Sequence, residues 1–63
     1  MKLGEFIHHI KHRSLSIKIY DMDNNLLYDG DVGQYLNSVY RYDNYIVKYI
    51  YPEDDLLMLY LKC

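Results

Sequence analysis

Sixty-three residues with a net charge of −2 make one small domain, 1–63, near the lower limit at which a single core holds without metals or disulfides. At this size folding buries only roughly 60% of the surface the unfolded chain exposes, which excludes a large internal ligand cavity and directs any binding to a surface face. The charge is too small to name a partner, although residues 1–20 carry four cations against Glu5, and residues 21–63 carry eight acids against Arg41, Lys48 and Lys62.

Cys63 is the one cysteine, so neither an intrachain disulfide nor a cysteine-based zinc site can form. No apolar run reaches the ~20 residues that span a bilayer, and the first residues lack a secretory h-region. The expected location is cytoplasmic. Nine tyrosines stand beside one phenylalanine and no tryptophan. Tyrosine joins an apolar ring to a wet end, so this choice favours half-exposed faces.

From Lys2 to His12, the apolar residues Leu3, Phe6, Ile7 and Ile10 repeat at i, i+3, i+4, i+7, the stripe of a helix packed on a core. Gly4 weakens its first turn. The period then changes to two: Leu15, Ile17 and Ile19 alternate with Ser16, Lys18 and Tyr20, giving a strand with one buried face. Asp21 to Asn25 is a turn, with Asn25 suited to the left-handed conformation that closes a three-residue loop over Asp23–Asn25. Leu26, Leu27 and Tyr28 return as a second strand. In that register Leu27 points inward while Tyr20 and Tyr28 face each other outside.

Asp31 with Gln34 forms a capping box, and Val32, Tyr35, Leu36 and Val39 continue as a second helix to about Tyr40. The segment Tyr45–Lys62 then reads as a β-hairpin, with Pro52 at the second position of a type I turn and Pro52–Asp55 as its loop. Ile46 and Ile50 share a face with Leu57, Leu59 and Leu61, while Val47, Tyr49, Met58 and Tyr60 share the other. At an offset of thirty residues Ile17-Lys18 aligns with Val47-Lys48 and Leu26-Leu27 with Leu56-Leu57, which admits a tandem helix–hairpin unit.

The segments IKIYDMDNNLLYDGDVG and YIYPEDDLLMLYLK, behind an amphipathic helix, resemble short accessory proteins of phages and conjugative elements in Gram-positive gut bacteria. The likeness rests on three turns: Tyr-Asp before a polar turn, Tyr-Asp-Gly closing the second strand, and aromatic-Pro-Glu-Asp-Asp before the last. It implies a small accessory protein and brings no catalytic residues with it.

Three chemistries compete with a plain structural role. His8 and His12 at i, i+4, with Glu5 one turn earlier, have the spacing of metal ligands, but a surface helix supplies no second shell to hold them, and no cofactor is expected. Lys2, Lys11, Arg13 and Lys18 with exposed tyrosines could grip phosphates and stack bases, but acids border both hairpins. No nucleophile–base set or Gly-rich phosphate loop supports an enzyme. The sequence therefore points to an α+β fold in the order α-β-β-α-β-β, two-layered, with one four-stranded antiparallel sheet and both helices on one face. The uncovered face would hold Tyr20, Tyr28, Val47, Tyr49, Met58 and Tyr60 together with Leu26. Such a face suits a non-enzymatic protein-binding module that takes a protein partner or a second copy, with a nucleic-acid binder as the alternative.

Overall fold

The most apolar stretches are those of Ile17 with Ile19 and of Leu57 with Leu59 and Leu61, and the fold places them side by side at its centre. The computed structural model describes residues 1–38 and 41–63. Among these, α1 (Leu3–His8) is followed by β1 (Ser16–Asp21), β2 (Leu26–Asp31), α2 (Val32–Leu36), β3 (Ile46–Glu53) and β4 (Leu56–Lys62). The fold is α+β, with one four-stranded sheet in the order β2-β1-β4-β3.

The sheet is mixed, which corrects the all-antiparallel expectation: β1 and β4 pair in parallel, with Ile17 beside Leu57 and Ile19 beside Leu59. The physical reason lies in which strands tolerate an edge. β2 carries Asp29, Gly30 and Asp31, and β3 carries Lys48, Pro52 and Glu53, residues that blunt an exposed edge and weaken a central strand. Moving both outward leaves the two apolar strands as neighbours. The thirty-residue offset is not mirrored in this arrangement, because β1 is interior while its counterpart β3 lies at an edge.

Both hairpin turns are displaced from the sequence reading. In the first, the Asn24 amide donates to the Asp21 carbonyl (3.2 Å) and the Asp21 amide to the Asn25 carbonyl (3.0 Å), with Asn24, not Asn25, in the left-handed region at φ 64°. The Asp21 carboxylate accepts from the amides of Asp23 (2.8 Å) and Asn25 (2.9 Å), which pins the turn one residue early. The Asn25 side chain also donates to it, and these bonds hold its pKa below the ordinary value. In the second hairpin, Glu53 pairs with Leu56, so the loop is only Asp54-Asp55, with Asp54 at φ 37°. Pro52 sits inside β3 opposite Leu57, where an edge strand tolerates its missing N–H.

Each hairpin also carries a bulge, between Ile19 and Tyr20 in the β1·β2 ladder and between Val47 and Tyr49 in the β3·β4 ladder. A bulge adds one residue and reverses the facing of everything beyond it. Tyr28 therefore pairs with Ile19 and Val47 with Leu61, both on the core-facing side. Ile46 moves to the opposite side, beside Lys62.

The core joins Leu3 and Ile7 of α1, Val32 and Tyr35 of α2, and Ile17, Ile19, Leu59 and Leu61 of the central strands, all fully buried. α1 stops at His8, four residues short of the expected His12. There the His9 and Ile10 amides turn back to the carbonyls of Phe6 and Ile7 (both 3.1 Å), and the His9 ring Nδ1 donates to the Glu5 carbonyl (2.7 Å). Gly4 packs tightly on the 41–45 segment: its amide donates to the Asp43 carbonyl (3.0 Å), and a Cβ would lie 3.0 Å from the Asp43 Cβ. α2 opens on the expected capping box, Asp31 accepting from the Gln34 amide (2.7 Å) and Gln34 from the Asp31 amide (3.4 Å). It runs to Leu36; Val39 and Tyr40, expected as its last turn, lie outside the described residues.

Tyr35 ties α2 to the segment before β3. Its hydroxyl donates to Asp43 Oδ1 (2.8 Å) and accepts from the Tyr42 amide (2.8 Å), while Arg41 pairs with Asp43 (2.6 Å) and lies over the Tyr35 ring. Burial first, then the bond to Asp43, pushes this phenol well above the ordinary range. A folded pKa raised above the unfolded one adds stability that is complete below about pH 10 and is lost as pH rises further. Tyr35→Phe should therefore lower stability by about 1–3 kcal/mol at neutral pH, because it takes one hydrogen bond from Asp43, which keeps Arg41, and leaves the Tyr42 amide unpaired, yet flatten the alkaline decline. Urea titrations at pH 7 and at stepped alkaline pH check both limbs.

Tyr28 folds back over Gly30, two residues along the same side of β2, where a Cβ would lie 2.6 Å from the tyrosine hydroxyl oxygen. That hydroxyl donates to the Asp31 carbonyl (2.8 Å), and the ring meets Tyr35 edge-on at 5.3 Å. Gly30→Ala should cost about 1–3 kcal/mol by displacing the ring, measured as a lower denaturation midpoint with an unchanged slope.

Candidate tyrosine-rich sheet face

Alternation along the central strands puts Lys18 and Tyr20 of β1, and Leu56, Met58 and Tyr60 of β4, on the side opposite the core. Parallel pairing seats them as rungs, Lys18 beside Met58 and Tyr20 beside Tyr60. The Tyr20 and Tyr60 rings stack at 5.2 Å between centroids and 19° between planes. β3 extends the rungs, placing Tyr51 opposite Met58 and Tyr49 opposite Tyr60. Tyr51 meets Tyr60 edge-on at 5.6 Å and 88°, and Tyr49 lies over Tyr51 at 6.3 Å and 28°. Four rings thus form one connected aromatic belt across β1, β4 and β3.

The belt is open to solvent at its β3 end, where Tyr49 is 49% and Tyr51 51% exposed. Leu26, opposite Tyr20 on β2, is 52% exposed, and Met22 in the adjoining turn is also exposed. Between that turn and the belt lies an open depression of about 320 Å³ lined by Met22, Asn24, Tyr49, Tyr51 and Tyr60. Three tyrosines and Met22 supply most of its lining and Asn24 a polar side, a mixture that suits docking of protein side chains.

Of the residues expected here, Tyr20, Tyr49, Met58 and Tyr60 come together as foreseen, and Leu26 joins them. Tyr28 and Val47 do not: both pack against the core, moved there by the two bulges. Tyr51 was missed, although alternation alone would have found it, since it stands two residues from Tyr49 on the same strand.

The face is charged at its two ends. At one end Asp29, Glu53, Asp54 and Asp55 gather with Lys18 around a second depression. At the other, Lys2 forms an antiparallel bridge with Ile46, which pairs in turn with Lys62, so both lysines share the tyrosine side.

The histidine candidates are placed differently. α1 ends at His8, so His8 and His12 no longer share a helix face, and among the described residues no three His, Cys, Asp or Glu side chains meet as a metal would require. Among the same residues no helix is long and apolar enough to cross a membrane. The chain matches no protein-family model, no curated protein and no solved structure.

Proposed function

We propose that the protein is a non-enzymatic protein-binding module whose binding surface is the tyrosine face of the sheet. The carrying observation is the belt of Tyr20, Tyr60, Tyr51 and Tyr49, pre-stacked on hydrogen-bonded strands yet half exposed where it reaches β3. Rigid aromatic rings lose little side-chain entropy on docking and bury large area, so such a belt favours binding of a protein surface. In this reading α1 and α2 cover the other side of the sheet, as membership of Leu3, Ile7, Val32 and Tyr35 in one core with Ile17, Ile19, Leu59 and Leu61 supports. The resemblance of the turns to mobile-element proteins adds that the module serves as an accessory protein of such an element, in the cytoplasm.

Nucleic acid is disfavoured by the four acids at one end of the face, which would repel a phosphate backbone laid along the belt. A photo-cross-linking residue in place of Tyr51 should give protein adducts in cells, and the same residue in place of Lys11 should not. The adducts should vanish in a Tyr49→Ser background whose melting curve stays close to wild type. Nucleic-acid adducts, or retention of oligonucleotides at low salt with steep release as salt rises, would replace this reading with the nucleic-acid one.

A further inference from the structure

We propose that the partner of the tyrosine face is a second copy of this chain, docked face to face about a two-fold axis lying across the strands, so that strands of the two copies run in opposite directions. This rests on the reading of the face as a protein interface and adds the occupant and its orientation. A two-fold interface needs a patch complementary to itself, and the distribution of charge meets that condition in one orientation. Lys2 and Lys62 flank Ile46 on one rung, while Glu53 lies opposite Leu56 at the far end of β3 and β4, seven residues along β3 or roughly 23 Å away. The tyrosine rungs stand midway between these ends.

An axis through those rungs, perpendicular to the strands, sets the lysine end of each copy over the acidic end of the other, twice, with tyrosines on tyrosines at the centre. An axis parallel to the strands keeps the acidic ends of the two copies together, Glu53 of β3 over the Asp29 side of β2, which like-charge repulsion disfavours. Charges at the rim fix orientation and salt response, while the aromatic centre supplies most of the affinity.

The dimensions agree. The molecule spans 26 × 26 × 18 Å, so its broadest outline is on the order of 600–700 Å² per copy, which reaches the lower end of standard interfaces at about 600 Å² per partner. Association through the edge of β3 is obstructed instead. Met1–Leu3 already run along its first residues, the Val47 amide donating to the Met1 carbonyl and the Leu3 amide to the Tyr45 carbonyl (both 2.9 Å). The bulge at Lys48 and the ring of Pro52 interrupt the remainder.

The test is sedimentation equilibrium of the full chain under reducing conditions, so that Cys63 cannot cross-link copies, from micromolar to near-millimolar concentration. The wild type should dimerise. Glu53→Lys with Asp55→Lys makes both ends of the face basic, and Lys2→Glu with Lys62→Glu makes both acidic. Each pair should weaken self-association by about tenfold or more. Mixing the two variants should restore dimers near wild-type strength, and recovery on mixing shows that both remain folded. A wild type that stays monomeric would overturn the dimer, and a dimer indifferent to both charge changes, or weakened variants that mixing does not rescue, would overturn the proposed orientation. The face reading is judged separately, because the Tyr51 cross-linker reports any protein partner: foreign adducts beside a monomeric wild type sink only the dimer, and no protein adduct at all sinks the face.

Discussion

Leu59→Ala should cost about 2–5 kcal/mol and leave the chain largely unfolded at 25 °C, because a domain of this size has roughly 3–5 kcal/mol to lose. Leu59 is fully buried in β4, paired with Ile19 in parallel on one side and Ile50 in antiparallel on the other. Truncation removes its transfer free energy and leaves a cavity in the middle of the sheet, where neighbours tied into two ladders cannot collapse to fill it. Circular dichroism against urea reads the result. A folded variant less than about 1 kcal/mol weaker would mean that β4 is not the centre of the core.

Ile7→Ala should have the next largest effect, about 2–4 kcal/mol, with loss of α1 itself. A six-residue helix is far below the length that holds alone in water, so α1 exists through what it buries. Its fully buried anchors are Leu3 and Ile7, whereas Phe6 is only half buried against the core. Phe6→Ala should therefore cost less than Ile7→Ala despite the larger side chain. The reverse order would place the helix in a different rotation from the one described.

The local pieces were legible because each rests on a short-range signal. The switch from period 3.6 to period 2 after α1, the Asp31/Gln34 capping box and the inward set of Ile17, Ile19, Leu57, Leu59 and Leu61 all follow from neighbours in sequence. Pairing was harder. That β1 and β4 lie side by side depends on which strands tolerate an edge, a comparison across the whole chain rather than within a window. The start of α1 is tied to distant residues, Leu3 to Tyr45 and Gly4 to Asp43, which no periodicity encodes.

The face was legible in kind but not in membership. Five of seven expected residues arrived, and the two that did not, Tyr28 and Val47, lie beyond bulges. A bulge leaves no mark in binary pattern, and one extra residue sends a side chain to the other face. Tyr28 had a detectable reason to turn inward: Gly30, two positions on, offers the bare backbone that an aromatic ring can cover. Asp21 likewise held a clue to the early turn, since a carboxylate two residues before Asp23 and four before Asn25 can take both amides.

The sorting of tyrosines onto two sides of the sheet underlies everything said of the face, and aromatic NOE contacts in solution test it most directly. Cross-peaks are expected between the rings of Tyr20 and Tyr60, of Tyr51 and Tyr60, and of Tyr28 and Tyr35, whose centroids lie 5.2, 5.6 and 5.3 Å apart. Contacts between Tyr20 and Tyr28, with none between Tyr28 and Tyr35, would put Tyr28 on the open side, return β2 to the unbulged register and contradict a belt confined to Tyr20, Tyr60, Tyr51 and Tyr49.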